Sequence, residues 1–246
     1  MAKAIAQKEW QSHRLVKQII SNDAGEPIPI VTILPADAGD NLPWVVAVHG
    51  YTSRKEEWLE LDDYTKGGNL VKALADQGIA VVAIDLYFHG ENFAEAAIDY
   101  DNLLDDHWDE FFHATVKNIE TVIDDLIGQD QFDPNRLGYV SYSLGGLFGF
   151  WLANRHSWFK SMVLCVPPVW KNQDNEFVPH NNLGNMRDMS VMLAVAEQDK
   201  YETLEDSKWL YDQLPVTDKQ FHSYNSDHSL PKDYVPIASA WFKERL

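Results

Sequence analysis

The sequence predicts the α/β class: a mainly parallel central sheet with helices on both faces and an antiparallel hairpin at its N-terminal edge. Three observations carry this. Short apolar, β-branched runs alternate with longer amphipathic segments, the pattern of βαβ units. The length, 246 residues, is long for one small core and short for two, so one domain spanning 1–246 is expected. Hydrophobic residues make up 45% of the chain, including 9 Trp, 10 Tyr and 11 Phe, which is enough apolar surface to offset chain entropy and excludes disorder.

The elements follow in order. Residues 13–20 and 27–34 flank the turn residues Ser21-Asn22-Asp23-Ala24-Gly25 and read as the edge hairpin. Residues 44–48 are a fully apolar strand ending in His49-Gly50, followed by a helix over 68–77 closed by Gly78. Residues 79–84 form the next buried strand. After Asp85 the chain is irregular up to a long amphipathic helix over 109–127, closed by Gly128. Strands are expected over 137–141, 161–166, 190–196 and 219–224, and helices over 144–154, 201–213 and 234–245. Residues 86–108 are irregular and residues 169–188 lack clear periodicity, and short insertions near a site are expected around 86–112 and 167–188.

Acidic residues outnumber basic ones 38 to 20, a formal charge of −18. That field repels phosphate backbones and anionic lipid, so neither nucleic acid nor a membrane surface is an expected partner. The one cysteine, Cys165, allows no intrachain disulfide and sits in an apolar strand as an inert core thiol. Residues 1–20 carry charges without an apolar core, and no run of 18 apolar residues occurs, so a cytoplasmic protein is expected.

Ser141-Tyr142-Ser143-Leu144-Gly145-Gly146 lies between a predicted strand and a predicted helix, where a Gly-x-Ser-x-Gly nucleophile elbow belongs. Such a turn lifts its central serine above the sheet edge, and the residues two before and two after must be small. Gly145 meets that demand, and Ser141 stands where the first glycine would be. A serine merely capping the helix is the bland alternative, and Ser141 itself lies at the strand end rather than the turn apex.

A serine hydroxyl is a weak nucleophile until an imidazole takes its proton, and a carboxylate must orient that imidazole. In hydrolases with this elbow the chain order is Ser, acid, His. Asp199 follows the strand 190–196 and His228 follows the strand 219–224, both in loops at strand ends. Glu197 and Asp174 are alternative acids, His222 is an alternative base, and Asp227 is expected to shape the His228 loop. Acyl transfer also needs two N–H groups aimed at the developing oxyanion, each worth about 10²–10³ in rate. Leu144 N–H, at the helix start, and Tyr51 N–H, in the loop after strand 44–48, are the candidates.

At these residues the chain resembles serine hydrolases of the α/β-hydrolase superfamily. His49-Gly-Tyr-Thr-Ser-Arg-Lys-Glu-Glu-Trp58 is similar to a segment of small bacterial esterases in the dienelactone hydrolase-like and acyl-thioesterase-like branch. Asp85-Leu-Tyr-Phe-His-Gly-Glu91 resembles that branch's D-x-x-x-H-G turn. Where dienelactone hydrolases proper carry cysteine at the elbow, this chain carries Ser143. The resemblance implies an α/β-hydrolase fold and hydrolysis of a carboxylic ester or thioester of a small to medium acyl group. A peptidase of the prolyl oligopeptidase kind and a non-catalytic protein of the same fold are the alternatives.

No cofactor or metal is expected, since no nucleotide loop and no histidine or carboxylate cluster at ligand spacing occurs. Tyr87, Phe88, Phe93, Tyr100, Trp108, Phe111, Phe112, Trp170 and Phe177 either line an aromatic acyl cleft or anchor the long helix. Arg54, Lys55 and Lys171 are the cations available to an anionic CoA thioester.

Overall fold

The computed structural model describes residue 10 and residues 13–61, 64–92 and 106–246. Among these, eight strands form one sheet: β1 (Arg14–Ser21), β2 (Pro27–Leu34), β3 (Leu42–Val48), β4 (Ala80–Ile84), β5 (Phe132–Tyr142), β6 (Phe159–Cys165), β7 (Ser190–Ala196) and β8 (Asp218–Tyr224). Their order is β1-β2-β4-β3-β5-β6-β7-β8. β2 runs against both neighbours, β1 and β4, and all other pairings are parallel. The expected edge hairpin is therefore present, with β1 outermost.

Five helices are described: α1 (Gly67–Asp76), α2 (Trp108–Ile127), α3 (Gly145–Arg155), α4 (Leu204–Gln213) and α5 (Tyr234–Lys243). They divide between the two faces of the sheet because the strands are apolar on both. Val46 and Val48 face a core shared with Phe111, Phe112, Phe148 and Leu210, from α2, α3 and α4. Val45 and Ala47, alternating with them, face a second core with Leu70, Leu74, Trp241 and Phe242, from α1 and α5. A strand buried on both faces reads as a continuous apolar run, which is why β3, β4, β6 and β7 were recognisable.

Two boundaries depart from expectation by three residues or more. β5 begins at Phe132 rather than near Leu137, because an irregular N-terminal stretch containing Pro134 still pairs with β3 through Leu42 and Phe132 before a register shift. α4 begins at Leu204 rather than Tyr201: the Thr203 hydroxyl accepts the Asp206 N–H at 3.0 Å and caps the helix there, releasing residues 200–202 to the cavity described below. Because β3, β5, β6, β7 and β8 are parallel, the loops after Val48, Tyr142, Cys165, Ala196 and Tyr224 all emerge at one edge of the sheet, where ligands of open α/β sheets are bound.

Candidate active site

Ser143 leaves β5 with φ +48°, in the left-handed region that a side chain enters at a cost of about 1–3 kcal/mol. Its backbone is over-determined: the Ser143 N–H donates to Cys165 O at 2.8 Å, and Gly146 N–H donates to Ser143 O at 2.8 Å. The turn requires close approach on two sides. A Cβ at Gly145 would lie 2.6 Å from Val48 O and 2.7 Å from His49 O, so only glycine fits there. A Cβ at Gly50 would lie 3.1 Å from Ser143 Cβ, which places the loop after β3 directly against the serine. Ser141, by contrast, is fully buried within β5.

His228 and Asp199 come together from loops 29 residues apart. Nδ1 of the imidazole lies 2.7 Å from Asp199 Oδ2, with the carboxylate side chain 4% exposed and the imidazole 12% exposed. That contact leaves Nε2 of the same ring as the nitrogen directed away from the acid. Ser143 and His228 line one cavity of about 550 Å³. The alternative groups lie elsewhere. Glu197 accepts the Ser223 hydroxyl at 2.8 Å, Asp174 is exposed beside Asn181, and His222 contacts Gln220. Asp227 accepts the Ser229 N–H at 2.9 Å and shapes the histidine loop, as expected.

Tyr142, the residue before the serine, was not singled out from sequence. Its buried hydroxyl donates to His228 O at 2.8 Å and accepts the Leu230 N–H at 2.8 Å, and burial pushes its pKa up, so it stays protonated. One side chain thus ties the end of β5, the strand that leads into Ser143, to the loop that carries His228. Tyr142→Phe is expected to keep the fold, cost about 1–3 kcal/mol of stability for the two orphaned backbone groups, and lower kcat roughly tenfold with little change in KM. Denaturation and steady-state kinetics on the variant check this; an unchanged kcat would mean the tie does not position the histidine.

The loop after β3 is held from behind by a buried polar network that joins the two motifs 49–58 and 85–91. Leu86 N–H lies 3.0 Å from His49 Nε2, and His49 Nδ1 lies 2.7 Å from Gly50 O. Thr52, itself at φ +62°, donates its N–H to His89 Nε2 at 3.1 Å, and His89 Nδ1 faces Tyr87 O at 2.9 Å. Burial, reinforced by His49, lowers the His89 pKa to about 4, so the ring stays neutral and able to accept.

Beneath it, Asp85 Oδ1 accepts the Lys55 N–H at 2.6 Å and Oδ2 accepts Lys55 Nζ at 2.7 Å and the Glu91 N–H at 3.1 Å. Burial works to raise the Asp85 pKa, but His49 and the hydrogen bonds from Lys55 outweigh it and hold the carboxyl near 2. Burial likewise opposes the Lys55 charge, and Asp85 and Glu91 overcome it, leaving the amine more basic than an ordinary lysine. These contacts fix the segment that presents Tyr51 beside Ser143.

They also correct the expectation that Lys55 could receive an anionic CoA group: its side chain is 1% exposed and is engaged by Asp85 and Glu91. Lys171 pairs with Asp206 at 3.0 Å and Arg54 with Glu60 at 3.2 Å.

The aromatic residues of the two insertions divide as well. Phe111 and Phe112 are fully buried anchors of α2, and Trp108 and Phe177 pack against them. Of the nine named from sequence, Trp170 lines the cavity, while Phe93 and Tyr100 lie outside the described residues. The other rings of the cavity wall are Tyr51, Tyr64, Tyr142 and Tyr201, the last with its ring 4.8 Å from His228. Two further cavity residues, Val166 at φ +43° and Trp170 at φ +45°, hold left-handed backbone; in a β-branched residue such as Val166 that is an outlier, and it belongs to the strain that gathers around sites. Among the described residues no group of three or more His, Cys, Asp or Glu could hold a metal ion, and no helix is long and apolar enough to cross a membrane.

Comparison with solved structures shows the same fold at low identity. An esterase from an Arctic intertidal metagenomic library superposes with a TM-score of 0.74 at 20% identity, covering 96% of this chain and 95% of that one. An esterase of Pyrococcus furiosus gives a TM-score of 0.74 at 14% identity, covering 97% of this chain and 95% of the other. The esterase domain of a Rhodothermus marinus protein gives 0.68 at 15% identity, over 94% and 99%. No curated protein matches in sequence. The sequence model of the alpha/beta hydrolase fold family matches residues 43–186, more than half of the chain, and the chain belongs to that family.

Proposed function

We propose that this protein is a serine hydrolase that cleaves a carboxylic ester, or thioester, of a small to medium acyl group through an acyl-enzyme on Ser143. The observation that carries the reading is the buried His228–Asp199 contact at 2.7 Å on the same cavity as a serine held at φ +48°. In this scheme Asp199 fixes the imidazole so that its other nitrogen, Nε2, takes the Ser143 proton. The serine oxygen attacks the carbonyl carbon, and the Tyr51 and Leu144 N–H groups hold the oxyanion. The imidazolium returns the proton to the leaving alcohol or thiol. Water, deprotonated by the same histidine, then releases the acid and restores the hydroxyl.

The role of Leu144 is supported by its place as the N-cap of α3, where the unsatisfied N–H groups and the helix dipole favour negative charge. A cavity of about 550 Å³ lies within the range of about 300–1,000 Å³ typical of small-molecule sites, which supports a compact substrate. The proposal predicts turnover of p-nitrophenyl butyrate and complete loss of that turnover on treatment with a fluorophosphonate, at one phosphonyl group per chain. Esterase activity that survives stoichiometric phosphonylation, or no turnover at all, contradicts it.

A further inference from the structure

The charge around the cavity is uneven. Glu202 sits in its wall, half-buried, with Oε1 accepting the backbone N–H of Val169 at 2.8 Å and of Trp170 at 3.3 Å. Its pKa is raised, chiefly by burial and further by the like charges of Asp206 and Asp199, against the pull of the two N–H groups. A second carboxylate, Glu57, lines the same cavity, and Asp199 lies behind His228. The cation of the wall is Lys200, which is exposed and rests over the Tyr201 ring at 4.6 Å from its centroid. Lys171, the nearest cation along the 166–171 loop, is engaged by Asp206 at 3.0 Å. The groups thus sum to a negative site within a chain of net charge −18. The same wall is aromatic: Trp170 itself supplies one of the N–H groups that hold Glu202, while Tyr64 and Tyr201 remain 50% and 65% exposed. Large rings left that open beside a cavity lack the burial that would explain them as core.

A carboxylate beside aromatic faces in a partly desolvated cavity attracts an ammonium ion by charge and by the ring quadrupoles, and repels a phosphate or carboxylate. We infer that the substrate is an ester bearing a positive charge, its ammonium group seated between the Glu202 carboxylate and the rings of Trp170 and Tyr201. The inference rests on the ester-hydrolase reading above and goes beyond it by assigning the charge of the substrate and the residue that selects it. It tells against an anionic CoA thioester, for which the cavity offers Lys200 alone against two carboxylates.

The test compares butyrylcholine with its uncharged carbon isostere, 3,3-dimethylbutyl butyrate, by titrating the butyric acid released, with p-nitrophenyl butyrate as a neutral reporter. The expected result is a kcat/KM about tenfold higher for the choline ester than for the isostere. In Glu202→Gln, whose amide oxygen can still accept the Val169 and Trp170 N–H groups, that ratio should fall toward one. Hydrolysis of the p-nitrophenyl ester with a choline ester no better than its isostere in the unaltered protein overturns the charge assignment and leaves the ester reading standing. A preference that persists in Glu202→Gln overturns the role of Glu202. Failure to hydrolyse any of the three esters removes the ester reading and this inference with it.

Discussion

Ser143→Ala is expected to lower kcat/KM for p-nitrophenyl butyrate by roughly 10⁴- to 10⁶-fold while the protein keeps its fold and its substrate affinity. The serine is the only group in the proposed scheme that forms a bond to substrate, so no neighbour can take over its part. What remains is the transition-state binding by the Tyr51 and Leu144 N–H groups, which does not need the hydroxyl. Asp199→Asn tests the same unit from its far end. An amide in place of the carboxylate presents a donor where the imidazole Nδ1–H must donate, which favours the tautomer with its proton on the nitrogen facing the serine, and a loss of about 10⁴ in kcat is expected. Because the three residues act as one unit, the double variant should be little worse than Ser143→Ala alone. A Ser143→Ala protein within tenfold of the unaltered enzyme would exclude the scheme.

Asp85→Asn is expected to destabilise the protein by about 3 kcal/mol, since it withdraws the full charge that compensates a buried ammonium while Glu91 still partly neutralises it. Both Asp85 oxygens accept N–H groups, so an amide must also turn a donor toward a donor. Thermal denaturation should register the change as a fall of about 6–12 °C in Tm for a chain of this length. The native carboxyl, held near 2, lies below its unfolded value of about 3.9, so its contribution is fully present above that value and is lost as pH falls through about 2. Because Lys55 belongs to the segment that follows Tyr51, the variant should also lose activity well below its Tm. A variant as stable and as active as the unaltered protein would show that the network does not hold the loop.

The sheet was readable from sequence, and the reacting groups proposed above were sought where its strands end. β3, β4, β6 and β7 are buried on both faces, so each is an uninterrupted apolar run that ends where a polar residue first meets solvent, and the residues of interest follow those ends. Asp199 follows such an end, after β7, while Ser143 follows the buried C-terminal half of β5 and His228 follows the half-exposed edge strand β8; a left-handed turn flanked by a glycine that must touch the neighbouring strand leaves a short-range mark at Gly145. What sequence did not convey are contacts made across long separations by residues whose type does not announce them. Lys55 looks like a surface cation, and nothing local shows that Asp85, 30 residues on, lies 2.7 Å from its amine. The Tyr142 hydroxyl meets the His228 loop 86 residues away. The cavity aromatics were sought in the two insertions, where rings are dense, yet Phe111 and Phe112 follow the helical period into the core, and beside Trp170 the wall is built from Tyr142 at the end of β5 and from Tyr51, Tyr64 and Tyr201 in loops with no period to betray them.

The central claim is that Ser143 is the nucleophile, and peptide mapping of the protein after reaction with a fluorophosphonate tests it most directly. The account predicts a single phosphonyl adduct on Ser143, absent from Ser143→Ala and formed far more slowly in Asp199→Asn. An adduct on Ser141 or any other residue, or no adduct on a protein that turns over esters, would contradict it.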